Sequence, residues 1–440
     1  MSATTMEPAA AGAELGLAAR RRLRNVGIVF LVIGFVTLFL WLKTASADAA
    51  FKLNDEIAPS DWWLLRLPGK TTVLICALVL LALGVVQLVR RLAGKWLVVL
   101  SIVAGLIFVF AFLCWAAAGR GEIAPGIPRS FALQQQFAGT LKLATPLILG
   151  ALSGVLCERA GVINIAIEGQ FLVAAFAAAV FGTIFQSEIL GVPWVGIVVG
   201  ILAGVLMAAL LAVFAIRYMV NQVVLGVVLV LLATGLTGFL LDQIPSERIV
   251  DFNNPPILSS MSIPLLADIP IIGKALFEQS VLVYIMYVSV AFVTVLLFQT
   301  KWGLRVRSVG EHPLAADTVG IKVRLTRYQA VLMGGVFAGL GGAFFTVGTT
   351  GAFDKGQTSG NGFIALAALI MGRWHPIGAT FGALFFGFML ELAQSLSVLQ
   401  TPIPSEFLSM VPYLATVVAV AGLVGRVKPP AADGEPYVKG

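Results

Sequence analysis

The chain has 440 residues, of which 59% are hydrophobic and only 12% are charged. Soluble domains carry about a quarter charged residues, so this composition excludes an ordinary soluble protein. The net charge of +7 does not indicate nucleic-acid binding, because Lys and Arg in a membrane protein report the orientation of its spans. The three cysteines have no redox or metal spacing, and two histidines are too few for a multi-histidine metal site.

Apolar runs of about 17 to 25 residues recur along the chain, which is the length that crosses a hydrocarbon core roughly 30 Å thick. They predict an all-α fold, a polytopic helical membrane protein with about 10–12 transmembrane helices and one or more broken or re-entrant segments. The run at 361–372 is too short to cross alone. The predicted spans are 26–42, 72–89, 96–118, 139–157, 165–186, 193–216, 220–242, 281–299, 329–350, 361–372, 377–399 and 408–425.

The distribution of polar and basic residues divides the chain into four parts. The first three spans carry few polar groups and read as an addition to a core that follows them. With the N-terminus in the cytoplasm, most of the 29 basic residues fall on the cytoplasmic side. We therefore expect a disordered cytoplasmic tail (1–25), peripheral N-terminal transmembrane helices (26–133), a core (134–425) and a cytoplasmic C-terminal tail (426–440).

The stretch CERAGVINIAIEGQFL, residues 157–172, interrupts the helical pattern. Its isoleucines alternate with other residues in a strand-like period of two, and it carries Asn164, Glu168 and Gln170. Irregular backbone at membrane depth occurs where protein or a water-filled cavity covers it, and ionisable groups there usually face such a cavity. The stretch therefore predicts a broken helix that lines a pathway. The alternative is a cytoplasmic turn at 158–161, with Glu168 paired to a neighbouring helix.

Polar residues in later spans extend this candidate pathway. Amides suit the hydroxyl groups of a small solute, and an aromatic ring suits a flat apolar group. The open alternatives are helix caps for Asn221 and Gln222, and pairing with another helix for Glu391. Trp374, which follows the short run, has an interfacial anchor as its alternative role. The further pathway candidates are Asn221, Gln222, Asn361, Phe363, Glu391 and Gln394.

A second notable stretch is VGEHPLAADTVGIKV, residues 309–323, on a loop that this topology places in the cytoplasm. Pro313 suits the first turn of a helix and Gly320 suits its C-terminal cap. The stretch predicts a short helix parallel to the membrane that could dock another protein, or else a solvated connection. Ala315 and Ala316 lack long side chains, so we expect them to enter a cleft on the partner.

The stretches GVINIAIEGQ, GEHPLAADTVG and GFIALAALIMGRWHPIGA resemble the integral-membrane permeases of ABC importers. The resemblance covers roughly residues 134–425 and is to the branch that handles branched-chain amino acids, ribose and nucleosides. The sequences of these stretches are most similar to those of the nucleoside, simple-sugar-like permeases. In that family the second stretch corresponds to the loop that docks in the ATPase. Its matching residues here are Gly310, Glu311, Pro313, Ala315, Ala316 and Gly320.

The resemblance implies a permease subunit that forms half of a pathway for a nucleoside or related sugar-like solute delivered by a binding protein. The implied partners are a second related permease in a heterodimer, a cytoplasmic ABC ATPase, an extracytoplasmic substrate-binding lipoprotein and membrane lipid. The implied location is a bacterial cell membrane, with both termini cytoplasmic. ATP and Mg²⁺ would serve the ATPase, and this chain would bind no cofactor.

The chain departs from the family pattern at two points, and three alternative functions stay open. The three N-terminal spans exceed the usual core, and Val230 stands where the family often has an amide. An ion-coupled secondary transporter of a small polar solute would need a more conspicuous proton or ion relay. A membrane-embedded enzyme would need clustered acids, histidines or a nucleophile, and no P-loop is present. The third alternative is an ABC permease for a simple sugar or a branched-chain amino acid.

Overall fold

Helices dominate the computed structural model of the chain, which describes residues 8–54, 63–124, 127–185, 194–404, 406–408, 410, 413–414 and 428–439. The helices are α1 (Pro8–Lys43), α2 (Gly69–Arg90), α3 (Lys95–Ala117), α4 (Leu133–Glu158), α5 (Ile167–Ile184), α6 (Trp194–Ala212), α7 (Gln222–Asp242), α8 (Ile249–Phe252), α9 (Ile272–Phe277), α10 (Val281–Gln299), α11 (Lys301–Glu311), α12 (Pro313–Thr318), α13 (Val323–Phe345), α14 (Asn361–Met371) and α15 (Pro376–Val398). The short strands are β1 (Asp48–Lys52), β2 (Leu64–Pro68), β3 (Glu122–Ala124), β4 (Ile127–Pro128), β5 (Phe131–Ala132), β6 (Ser260–Ser262) and β7 (Glu278–Ser280).

Within the described residues, ten helices are long and apolar enough to cross a membrane. They confirm the predicted polytopic helical protein, and each coincides with one of the predicted apolar runs. The run at 361–372 forms α14, an apolar helix of 11 residues. The predicted span 408–425 lies almost wholly outside the described residues. The short strands, absent from the all-α prediction, lie in the connections between helices.

One unit of the structure comprises Met1–Gln135 and Gln394–Ser405. Its helices α1 and α2 approach closely, since a Cβ on Gly84 would lie 2.6 Å from the Leu31 side chain. Strand β1 pairs antiparallel with β2 and parallel with β5. Helix α1 begins at Pro8, so it includes residues that the sequence suggested were a disordered tail. The Ala-rich composition of that stretch favours helix strongly enough to extend the first span.

The second unit comprises Gln136–Ala393 and Glu406–Gly440, and it holds the candidate site. Helices α4, α5 and α13 are mostly buried in it, whereas α7 is mostly exposed. An apolar helix with an exposed surface in such a protein faces lipid, because lipid tails are as apolar as leucine. The buried helices are therefore the ones that surround the interior of this unit.

Helices α6 and α13 cross with their backbones nearly touching, as the small-residue spacing of both segments predicts. A Cβ on Gly204 would lie 2.6 Å from the Cα atom of Gly339, and one on Gly335 would lie 2.5 Å from the Ala208 side chain. Close approach of this kind is the usual role of small residues four apart in membrane helices. The crossing fixes α13, which the loop 300–322 precedes and the short helix α14 follows.

We expect Gly204→Ala to destabilise the chain by about 1–3 kcal/mol, because the added methyl group would overlap the backbone of Gly339. Thermal stability of the purified protein in detergent measures this effect. Gly235→Ala is the matched control, since it lies in a helix and a Cβ there would meet nothing within 4 Å. Equal stability of the two variants would contradict the close crossing.

Candidate functional site

The break between α4 and α5 is real, but it is not a strand. Helix α4 ends at Glu158, residues 159–166 are irregular, and α5 begins at Ile167. The alternating isoleucines have no neighbouring strand with which to pair. Instead the Ile163 amide donates a hydrogen bond to Oε1 of Gln222 at 2.7 Å. A side chain thus supplies the acceptor that a helix or a sheet would otherwise have provided.

A buried amide cluster fills the inside of this break. Asn164 donates to Oε1 of Gln170 at 3.2 Å, and Gln170 donates back to Oδ1 of Asn164 at 3.4 Å. The Asn164 amide also donates to Oγ of Ser153 on α4 at 3.2 Å. Asn164 and Gln170 have no solvent-exposed surface. Their polar groups therefore satisfy each other, and the pair fixes the first turn of α5 against the broken segment.

Glu168 binds the N-terminus of α14. Its Oε1 accepts hydrogen bonds from Oγ1 of Thr358 at 2.5 Å and from the Gly360 amide at 2.8 Å, and its Oε2 accepts one from the Gly362 amide at 2.6 Å. The side chain is buried at 5% exposure. A carboxylate is favourable here because the first amides of a helix lack partners and carry a positive partial charge. This is the neighbouring-helix alternative for Glu168.

The opposite end of α14 is held by the start of the same broken segment. Glu158 accepts a hydrogen bond from the Trp374 indole, and Nε of Arg159 donates to the Trp374 carbonyl at 2.8 Å. Arg373 and Trp374 both have φ near +55°, a left-handed conformation that is costly for such residues. Burial lowers the pKa of Arg159, and the nearby Glu311 opposes that shift. The two side chains thus stabilise a strained turn between α14 and α15.

Residues that flank the break therefore clamp α14 at both of its ends: Glu168 on α5 holds one end, and Glu158 with Arg159, where α4 ends, hold the other. With 11 residues, α14 is about 16 Å long, which is too short to cross a membrane alone. Its position is instead determined by Glu168 at one end and by Glu158 and Arg159 at the other.

The remaining predicted pathway residues have different surroundings. Asn221 caps α7, where its side chain accepts from the amides of residues 223 and 224. Asn361 is the first residue of α14 and is half-buried, and Phe363 is 46% exposed. On α15, Glu391 is buried whereas Gln394 is exposed, so the two residues do not share one environment.

Glu391 lies away from the amide cluster. It packs where α15 meets α4 at Gly139, since a Cβ on that glycine would overlap the carboxylate. The amide cluster contacts α4 at Ser153. These two contact points are 14 residues apart on one helix, which corresponds to about 21 Å along its axis. Glu391 is therefore not part of the cluster around Asn164 and Glu168.

Sequence reasoning missed some members of the site. The sequence pattern did not single out Thr358, which binds Glu168. A threonine followed by glycines at the start of a short apolar helix is nevertheless typical of a helix start whose amides can bind an anion. Ser153 gave no signal, because a single serine in an apolar helix is common. Among the described residues, no group of three or more His, Cys, Asp or Glu could hold a metal ion.

The cytoplasmic loop of the predicted topology forms the expected short helix. His312 precedes it and accepts from the Ala315 amide through Nδ1 at 3.2 Å, Pro313 is its first residue, and Gly320 follows it with φ +85°. Ala315 is exposed but Ala316 is buried among Val309, Val323 and Tyr437 of the same chain. The expectation that Ala316 enters a cleft on a partner therefore differs from the structure, since one face of a helix this short must pack on its own chain.

The loop also touches the broken segment directly. A Cβ on Gly310 would lie 2.2 Å from the carbonyl oxygen of Arg159, so only glycine fits there. The other predicted loop residue, Glu311, is exposed. Through Gly310 the loop rests on the turn that leads into the clamp around α14. One continuous set of contacts thus joins the short helix α12 to the interior of the unit.

In the part of the chain that the structure describes, ten candidate membrane-spanning helices and an interrupted helix with buried polar groups are features of a multi-pass membrane transport protein. Residues 136–421 match the family model described as the branched-chain amino acid transport system permease component, and the chain belongs to that family. Such a permease subunit works with an ATPase and a binding protein.

Three named relatives are described as ABC transporter permease proteins. The chain is 42% identical to the guanosine ABC transporter permease protein NupQ of Bacillus subtilis over 68% of its own length and 95% of that protein. It is 40% identical to the nucleoside ABC transporter permease protein NupC of Lactococcus lactis, covering 70% and 98%. It is 34% identical to the putative glucose ABC transporter permease protein TsgC13 of Haloferax volcanii, covering 66% and 91%. No solved structure matches the chain.

Proposed function

We propose that this chain forms half of the translocation pathway of an ABC importer for a nucleoside or a related sugar-like solute. The contact that carries the proposal is the one between Gly310 of the cytoplasmic loop and Arg159 of the broken segment. Movement imposed on the loop by an ATPase would reach α14 through the turn at 158–161. The names of the relatives at about 40% identity support the nucleoside class.

The exposed side of α12 is the proposed docking surface for the ATPase. Leu314 is 53% exposed and Val319 is 75% exposed, and Ala315 lies between them. Apolar side chains on an exposed helix in a polar loop are a common feature of binding surfaces. Ala316 and Gly310 support this surface from within, while Glu311, Pro313 and Gly320 shape the loop. ATP and Mg²⁺ are bound by the ATPase in this scheme.

Two permease chains are needed in this proposal, since two ATPase subunits that close together require two docking surfaces and this chain offers one. We propose a second, related permease as the partner, together with an extracytoplasmic binding lipoprotein. Both termini lie in the cytoplasm of a bacterial cell in this arrangement. The basic residues of the cytoplasmic loop support that orientation.

The substrate surface is proposed to include the first turn of α14. Asn361 and Phe363 retain exposed surface there, next to the carboxylate that fixes the helix. An amide can bind the hydroxyls of a ribose, and an aromatic ring can stack on a base. Asn164, Gln170 and Gln222 act behind this surface and Asn221 at a helix end, whereas Glu391 and Gln394 on α15 would contribute farther along the pathway.

Uptake of a radiolabelled panel tests the proposal directly. Cells that lack this chain should lose uptake of guanosine, and the restored gene should return it. Unlabelled adenosine should compete with guanosine, while leucine and glucose should not. Depletion of ATP should abolish uptake, whereas an ionophore that collapses ion gradients should leave it intact over the first minutes. Uptake of leucine alone, or dependence on the ion gradient alone, would contradict the proposed function.

A further inference from the structure

The C-terminal segment, residues 428–439, packs onto the second unit although its composition suggests a solvated tail. It reads KPPAADGEPYVK, with three prolines and few apolar residues. Yet Ala432 and Tyr437 are only 4% and 6% exposed. A polar, proline-rich segment loses conformational freedom when it is fixed, so specific contacts must offset that cost. We call this segment the strap.

Two backbone amides of the strap donate hydrogen bonds to the cytoplasmic loop. The Ala432 amide donates to the Gly310 carbonyl at 2.8 Å, and the Ala431 amide donates to Oε2 of Glu311 at 3.3 Å. Tyr437 packs with Val309 and with the buried Ala316. The strap therefore contacts the inner side of α12, opposite to the exposed surface proposed for docking.

The strap also contacts the broken segment. A Cβ on Gly161 would lie 2.8 Å from the Ala432 carbonyl, and one on Gly434 would lie 2.7 Å from Cδ1 of Ile163. Both glycines have φ near +80°, which other residues rarely adopt. The strap and the broken segment thus each need a glycine where they meet. The second of these contacts is at Ile163, one residue before Asn164 of the amide cluster.

Buried charges add to the attachment. Arg327 on α13 is 2% exposed, and its Nη1 donates to the Glu435 carbonyl at 2.8 Å. Burial raises the pKa of Asp433, and the nearby Arg327 opposes that shift. A buried guanidinium is costly without hydrogen-bond acceptors, and the strap supplies one at the Glu435 carbonyl. Removal of the strap would therefore leave Nη1 of Arg327 without this acceptor.

We propose that the strap binds the cytoplasmic loop and the broken segment together so that they move as one body during transport. This inference rests on the proposed function, in which the loop receives movement from the ATPase. The loop meets the break directly at Gly310, whose backbone approaches that of Arg159, and Glu311 lies near the Arg159 charge. The strap adds hydrogen bonds to the loop, close packing against the break and a hydrogen bond to the buried Arg327 of α13. It remains docked throughout the cycle.

Hydrogen exchange of the purified protein tests whether the strap joins the loop to the broken segment, and it needs no substrate. Tyr437→Ala should raise exchange in residues 158–166 and in residues 310–320 together. Val438→Ala is the matched control, because Val438 is adjacent and 61% exposed, and it should change neither stretch. A rise confined to one of the two stretches, or no rise in either, would overturn the strap as a tie. This readout decides the inference even if the chain transports no nucleoside.

Transport provides the second measurement. In a complex whose unmodified form takes up guanosine, Tyr437→Ala should reduce uptake about five-fold or more, the lower end of typical coupling between sites. The ATPase should remain bound at its normal level. Loss of ATPase in proportion to uptake would overturn the inference, since the strap would then only support the docking surface. Unchanged or increased uptake would overturn it as well.

A reversible cross-link covers the case in which Tyr437→Ala does not fold. Glu311→Cys combined with Ala431→Cys places one thiol on each of the two residues that a hydrogen bond now joins. Because the strap stays docked, the oxidised protein should keep the uptake of its reduced form. Loss of uptake on oxidation, restored by reduction, would show that the strap must release and would overturn the proposal.

Discussion

Glu168→Ala is expected to remove most of the folded chain from the membrane and to abolish uptake with it. The carboxylate is buried and accepts hydrogen bonds from Thr358, Gly360 and Gly362. Alanine would leave these three donors without an acceptor, at about 1–3 kcal/mol for each. The sum approaches the whole stability of a typical domain, about 5–15 kcal/mol. Membrane abundance by immunoblot and thermal stability in detergent measure the loss.

The conservative variant separates shape from charge. Glu168→Gln keeps one acceptor but turns an amide group toward helix amides, so we expect an intermediate loss of stability. Glu247→Ala is the control, since Glu247 is an exposed carboxylate in the connection after α7. Normal abundance of Glu168→Ala together with lost uptake would contradict the clamp and would favour a direct contact of Glu168 with the substrate.

The sequence of the broken segment predicted its existence because its residues conflict with a continuous helix. Isoleucines at every second position, three charged residues and two glycines cannot form one apolar face of a helix. The helix does end at Glu158 and restart at Ile167. What the pattern could not predict is the partner of each polar group. That depends on contacts such as Glu168 with Gly362, 194 residues apart in the chain.

The same limit applies to the cytoplasmic loop. Pro313 and Gly320 marked the ends of a short helix correctly, because proline and glycine act on the local backbone. The faces of that helix were not predictable, since two adjacent alanines look alike in sequence. The contacts of Ala316 with Val309, Val323 and Tyr437 reveal that it is the buried one. The strap itself has no apolar periodicity, so its docking gave no local signal.

Val319→Asp is expected to release the ATPase while the permease stays folded and inserted. Val319 is 75% exposed at the end of α12, so in the free chain aspartate there meets only water. In the docked complex the carboxylate would be buried without a partner, at a cost of several kcal/mol. Since every 1.4 kcal/mol changes affinity tenfold, the affinity should fall about 100-fold or more. Pull-down of the ATPase by the tagged permease measures it.

Controls assign the effect to one face of α12. Val250→Asp places the same group on an exposed valine in α8 and should retain the ATPase fully. Leu314→Asp should act like Val319→Asp, because Leu314 shares the exposed surface. Ala316→Trp should instead lower thermal stability, since its ring would displace Val309 and Tyr437 within the chain. If Val319→Asp kept full ATPase binding, the exposed face of α12 would not be the docking surface.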